Sequence, residues 1–276
     1  MKPVIHPQSK QLLDAVFEGG SHAVLLTGPT GIGLATIAKH YAALSSAQRS
    51  TVLPTKNEVI DLEKGTITVD SIRRLYDITR TIEPAGRIIV IDYAERMAPA
   101  AQNAFLKLLE EPTEGTMFIL LTHQPEWILP TVASRVQRID IRPITTTQSN
   151  ALLDELEVND AVKRTQLLFI AEGLPAELTR LVTDKERFET RASLVKDARG
   201  LITGTAYERL LLAKKYKDSR SAALTLIEDS LKMLRRTIAS NGDAVSLRML
   251  TRLEVIHKRL SEQGNVRLQL SATVMV

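Results

Sequence analysis

The order of patterns along the chain predicts an α/β domain built on a parallel sheet, followed by a small helical lid and an all-α C-terminal domain. Three observations carry this expectation. The first half alternates short β-branched runs with helical patterns, as strand–helix–strand units do. Strand signals stop after Thr145, where short helical segments take over. Beyond Thr183 the apolar positions keep a helical spacing to the end of the 276 residues.

In chain order, the expected strands are Ala23–Thr27, Glu58–Leu62, Arg87–Asp92, Met117–Thr122 and Val136–Ile141. Their near-continuous apolar character suits strands covered on both faces. Between them, Val69-Asp70-Ser71 opens a helix carrying Ile72, Leu75 and Ile78. Pro99 opens a second helix that Pro112 ends, with Phe105, Leu108 and Leu109 on one stripe. The lid is expected from helices around Leu152–Leu156 and Val162–Ala171, then Gly173-Leu174-Pro175 and a helix to Leu181. In the last third the pattern suggests breaks at Gly200, Gly204 and Asn241-Gly242, with Leu224, Ile227, Leu231 and Leu234 facing a core.

Composition excludes several function classes. With no cysteine, there is no disulfide, no cysteine nucleophile and no cysteine-based zinc site. The five histidines are scattered and form no metal-ligand spacing, so no metal is expected. Met1–Gln11 is polar, without the apolar stretch of a signal peptide, and no apolar run approaches the roughly 18 residues that would cross a bilayer. A soluble, cytoplasmic protein with no membrane contact is expected. Positive charge is concentrated in the C-terminal third: from Asp184 onward there are 18 Lys and Arg against 11 Asp and Glu, leaving 18 against 21 before it. Such a bias suits a solvated helical surface, and less readily a nucleic-acid contact.

Gly28-Pro-Thr-Gly31-Ile-Gly33 lies between an expected strand and helix with the spacing of a phosphate-cradling loop, G-x-x-x-x-G-K followed by Ser or Thr. The Lys position holds Leu34 and the magnesium-holding hydroxyl position holds Ala35. An isobutyl group leaves phosphate charge uncompensated. Backbone N–H groups and the helix N-terminus are then the remaining attractions, so weak ATP or ADP binding, or none, is expected and no cofactor is required. A plain strand-to-helix turn rich in glycine is the alternative. Arg87-Ile-Ile-Val-Ile-Asp92 adds weight to the first reading: an apolar strand ending in a carboxylate is how a metal-holding Asp is set beside such a loop. Tyr93 follows it.

Ala100-Ala-Gln-Asn-Ala-Phe-Leu-Lys-Leu-Leu-Glu-Glu-Pro112 resembles the signature helix AaNaLLKtLEEP of the DNA polymerase III clamp-loader family. Phe118–Thr122 resembles that family's sensor strand, with Thr122 at its polar position, and Leu129-Pro-Thr-Val-Ala-Ser134-Arg135-Val136 resembles its LpTi-SRC segment, Val136 replacing Cys. Ser21-His-Ala-Val-Leu-Leu-Thr-Gly-Pro resembles the entry HAyLFtGp, and Asn265–Leu270 the final helix, so the likeness spans nearly the whole chain.

The resemblance implies an α/β P-loop, AAA-type domain over 1–142, a helical lid over 143–183 and a helical collar for oligomerisation over 184–276. Active relatives carry Glu where Tyr93 stands and Arg where Ala176 stands; with Leu34 and Ala35, four side chains of the hydrolytic machinery are absent. The implied role is a non-hydrolysing subunit of a hetero-pentamer containing a motor subunit and a clamp-opening subunit, acting through the complex on a sliding clamp and primed DNA. Gly28, Gly31, Gly33, Asp92 and Thr122 then outline a degenerate nucleotide site. Arg135, with Ser134, is implied as an arginine finger for a neighbour's γ-phosphate, a role that contributes about 10³–10⁵ in rate; a surface salt-bridged arginine is the alternative. Many bacterial relatives carry a four-cysteine zinc module after the phosphate-loop helix. Here Ala43–Asn57 is short and cysteine-free, implying loss of that peripheral module. Adjacent Glu110 and Glu111 point about 100° apart on a helix and so make no catalytic pair; Trp127 is expected to pack. Two rival roles are an active ATPase with a rearranged site and a stand-alone DNA-binding adaptor.

Overall fold

The computed structural model describes residues 2–62, 64–241 and 244–275. The chain divides into two compact units, Met1–Val182 and Thr183–Val276.

In the first unit α1 (Pro7–Glu18) precedes β1 (Ala23–Thr27), α2 (Leu34–Leu44), β2 (Gln48–Val52) and a two-strand ribbon of β3 (Thr55–Lys56) and β4 (Val59–Ile60). α3 (Val69–Thr79), β5 (Arg87–Ile91), α4 (Pro99–Glu110), β6 (Thr116–Thr122), α5 (Pro130–Ala133) and β7 (Gln137–Asp140) follow. Five strands form one parallel sheet in the order β2-β5-β6-β1-β7. Successive residues of β1 feed opposite cores. Val24 and Leu26 pack with Leu13, Ile37, Tyr41 and Ile119 on the α1–α2 side. Ala23 and Leu25 pack with Ile72, Phe105, Phe118 and Val132 on the α3–α4 side. This two-sided cover is why the strand is apolar throughout, since the side-chain period of a strand is two.

One strand differs from the sequence expectation. Glu58–Leu62 does not join the main sheet: only Val59 and Ile60 are extended, paired antiparallel with Thr55 and Lys56. The fifth sheet strand is instead β2, which pairs with β5 at the sheet edge and whose residues are exposed or half-buried. An edge strand with one neighbour and little cover needs no apolar run, so Gln48-Arg-Ser-Thr-Val52 carries no hydrophobic signal. The expected helix stripes hold for Ile72, Leu75, Phe105, Leu108 and Leu109, all buried, whereas Ile78 is exposed. Three further helices complete the unit: α6 (Thr146–Glu155), started by a Thr145–Gln148 capping box, α7 (Ala161–Ala171), capped by Asp160, and α8 (Pro175–Thr183).

The second unit is helical: α9 (Lys185–Thr203), α10 (Ala206–Lys215), α11 (Arg220–Asn241), α12 (Ala244–Ser261) and α13 (Val266–Ser271). Gly200 does not break α9 as its residue type suggested. The helix runs through it and stops at Gly204, whose N–H bonds the Gly200 carbonyl at 2.8 Å. A Cβ on Gly204 would stand 2.4 Å from that carbonyl oxygen, whereas one on Gly200 would meet Leu212 at an ordinary 3.7 Å. Of the break expected at Asn241-Gly242, Gly242 lies outside the described residues. Ile227, Leu231 and Leu234 are buried in this unit's core and Leu224 packs at its edge. Arg191 reaches from α9 to Asp229 on α11 with bonds of 3.0 and 3.3 Å, supplying a counter-ion for a carboxylate that is 4% exposed. No described helix is long and apolar enough to cross a membrane.

Candidate functional site

Residues 28–33 join the C-terminal end of β1 to α2, as the glycine spacing predicts. Gly31 and Gly33 sit at φ +92° and +91°, where a side chain is strained, and Gly33 is the N-cap of α2. Leu34 turns into the α1–α2 core and is 2% exposed, with Ala35 packed beside it. The loop is further closed by the first turn of α8. The Glu177 N–H donates to the Gly31 carbonyl at 3.0 Å. A Cβ on Gly31 would stand 2.9 Å from the Glu177 Cβ, and one on Gly33 would stand 3.3 Å from the Ala176 Cβ. The first turn of α8 thus lies directly against Gly31 and Gly33. No residue at the Lys and hydroxyl positions fits a nucleotide with its divalent ion.

Asp92 stands directly after β5, as expected, and accepts the N–H of Tyr93 at 2.9 Å. Burial pushes its carboxyl above the usual carboxylate range, outweighing that hydrogen bond and the pull of His123. Tyr93 itself is at φ +55°, an uncommon conformation for a non-glycine residue. Thr122 is 1% exposed, and its hydroxyl accepts the N–H of Gln124 at 3.0 Å, capping its own turn. His123 was not singled out from sequence. Its Nδ1 donates to the Gly28 carbonyl at 2.7 Å and its ring meets Tyr93 edge-on at 6.5 Å, so it ties the β6 exit to the glycine loop. Gly28, Gly31, Gly33, Asp92 and Thr122 are thus gathered at the C-terminal ends of β1, β5 and β6.

Ser134 and Arg135 are elsewhere. They end α5 and precede β7, whose Gln137 is in register with Val24 of β1. In a parallel sheet this places Arg135 beyond the N-terminal ends of the strands, while Gly28 follows their C-terminal ends. At about 3.3 Å per residue, the strand length separates them by roughly 15–20 Å. The Arg135 guanidinium bonds the Thr131 carbonyl through Nη1 at 3.0 Å and Glu110 Oε1 through Nη2 at 2.8 Å. Ser134 also bonds the Thr131 carbonyl, at 3.1 Å. Both side chains of the Arg135–Glu110 pair face solvent, 39% and 50% exposed.

Gln102, part of the α4 signature but assigned no role from sequence, is what fixes α5. It is 2% exposed, donates to the carbonyls of Met97 at 3.2 Å and Trp127 at 3.0 Å, and accepts the N–H of Leu129 at 2.8 Å. These bonds clamp the segment entering α5 onto α4. Trp127 does not pack as expected: its carbonyl is held by Gln102 while its side chain lies in a residue 65% exposed.

Comparison with known proteins agrees with this architecture. Residues 6–145, just over half the chain, match the family described as DNA polymerase III, delta subunit. The chain is 32% identical over 203 residues to the DNA polymerase III subunit delta' of Pseudomonas aeruginosa, covering 66% of this chain and 62% of that protein. It is 29% identical over 252 residues to the subunit tau of Bacillus subtilis, covering 82% of this chain and 43% of that one. The match thus spans less than two thirds of the length of either relative. A solved DNA polymerase III gamma subunit-related protein from Thermotoga maritima shares the fold, with a TM-score of 0.53 at 18% identity over 96% of this chain and 97% of that one. A parallel five-strand sheet and a match over half the sequence agree: the chain belongs to the delta'/clamp-loader family of DNA polymerase III subunits.

Proposed function

We propose that the chain is a non-hydrolysing, delta'-type subunit of a bacterial clamp loader, which supports ATP-dependent loading of a sliding clamp on primed DNA by giving Arg135 to a neighbouring motor subunit. The observation that carries this reading is the position of Arg135 at the end of the sheet opposite the glycine loop. An arginine separated from its own loop by the length of a strand cannot stabilise charge there, yet it is exposed at a rim where an adjacent subunit can present a phosphate. A planar, permanently charged guanidinium suits that task.

The silence of its own site follows from Leu34, Ala35, Tyr93 and Ala176, and from α8 resting on Gly31. Nucleotide affinity is weak or nil, and no zinc or other cofactor is needed. In this reading residues 1–142 are the AAA-type domain, 143–183 the lid, and 184–276 a collar that packs with the collars of a motor subunit and a clamp-opening subunit in a cytoplasmic hetero-pentamer. DNA and clamp are met through the complex.

The test is ATP turnover by the homologous motor subunit, assembled with its clamp-opening partner, clamp and primed DNA, with and without this chain. Stimulation on adding the chain, with no turnover by the chain alone, is the expected result. Turnover by the isolated chain would overturn the silent site and restore the ATPase reading. Failure to form a complex, with salt-sensitive DNA binding by the chain alone, would favour a stand-alone adaptor.

A further inference from the structure

Glu110 is the last residue of α4, where the negative end of the helix dipole disfavours a carboxylate. It stays there in contact with a guanidinium: Arg135 Nη2 lies 2.8 Å from its Oε1 while Nη1 is held by the Thr131 carbonyl at 3.0 Å. Both terminal nitrogens of Arg135 are therefore engaged within the chain. The two anchors differ in kind. Thr131 is the second residue of α5, and Gln102 clamps the segment entering that helix onto α4, so its carbonyl is part of a fixed frame. Glu110 is a half-exposed, flexible side chain whose pairing is weak in water.

From this geometry we propose that Glu110 is a cis latch on Arg135: it holds the guanidinium at the rim and competes with the phosphate that a neighbouring subunit presents. The proposal rests on the trans-acting role of Arg135 set out above. A carboxylate next to the guanidinium reduces the advantage of bringing it to an anion, because the phosphate must displace one partner or share the cation with another negative charge. Glu110 is thus a positioning residue, not one that touches the reacting atoms. Its neighbour Glu111, also exposed, makes no such bridge to Arg135 among the described residues and serves as the control.

The experiment measures ATP turnover of the reconstituted assembly at saturating and subsaturating ATP with Glu110→Gln, Glu111→Gln, Arg135→Ala and the Glu110→Gln/Arg135→Ala double variant. Glutamine keeps the shape and removes the charge at an exposed site, and thermal unfolding of each variant chain checks that the fold is kept. Glu110→Gln is expected to raise stimulated turnover about two- to five-fold, the range an exposed pair commands, while Glu111→Gln changes nothing. Arg135→Ala is expected to remove stimulation with or without Glu110→Gln, so the latch is read from a gain with Glu110→Gln that Glu111→Gln does not give. Lower or unchanged turnover with Glu110→Gln, or an equal gain with Glu111→Gln, overturns the latch. If Arg135→Ala abolishes stimulation in those cases, the finger reading stands without it; if Arg135→Ala keeps full stimulation, both fall.

Discussion

At the C-terminal end of β1 the chain keeps the backbone of a phosphate loop without the side chains that make it work; before the N-terminal end of β7 it keeps a single cation held in place by a built frame. Gly31 and Gly33 adopt the left-handed turns that bring backbone N–H groups round a phosphate, yet Leu34 is buried and α8 rests on the loop. Arg135 is anchored to Thr131, and the segment leading to Thr131 is clamped by Gln102. The difference teaches that glycine-loop geometry can also serve packing, here the contact with α8, where the Lys and hydroxyl side chains are missing. In the proposed function the residue that needs particular chemistry is Arg135, exposed at the opposite rim of the sheet.

This contrast can be broken most severely at Arg135. Arg135→Lys retains charge but not the planar fork, so stimulation of the motor subunit is expected to fall by about 10²–10³ at the site it serves, close to the loss with alanine. Steady-state turnover of the assembly reads this directly, and full activity with lysine would reduce Arg135 to a point charge. A smaller effect is expected at the loop. Gly31→Ala places a Cβ 2.9 Å from the Glu177 Cβ at φ +92°, costing about 1–3 kcal/mol of stability in urea unfolding of the isolated chain. Stimulation should survive wherever the variant stays folded; a catalytic loss beyond the folded fraction would mean that the loop takes part in the chemistry.

The smallest expected effect is at Asp92. Its carboxyl is raised by burial, so the charged form is less favourable in the folded chain than in the unfolded one. Asp92→Asn should therefore stabilise the chain slightly at pH 7. The gain should shrink as pH falls through the folded pKa and vanish below the unfolded one, where the native carboxyl is protonated in both states. A destabilised Asn variant would indicate that the charge is compensated in the fold.

Much of the scaffold was legible because burial writes itself into composition. β1, β5 and β6 are apolar on both faces, and α4 carries Phe105, Leu108 and Leu109 on one stripe. β2 was not legible, since an exposed edge strand has no apolar signature, and exposed Val59 and Ile60 mimicked one. Gly200 misled because a helix can run through a single glycine; a Cβ there would meet Leu212 of α10 at only an ordinary 3.7 Å. At the site, the glycine loop and Asp92 were legible from spacing. The bonds from His123 to Gly28 and from Gln102 to Trp127 and Leu129 were not, because they join residues distant in sequence with no periodic pattern. Arg135 was picked out by motif likeness alone; that it lies across the sheet from the loop follows only from strand register.

The measurement that tests the central claim most directly is ATP turnover of one reconstituted assembly in which this chain alone is varied, with Arg135→Ala and Asp92→Asn compared side by side. The account predicts that Arg135→Ala abolishes the stimulation this chain provides and that Asp92→Asn leaves it unchanged. Retained stimulation with Arg135→Ala, together with its loss on Asp92→Asn, would contradict the account and return the chemistry to the chain's own loop.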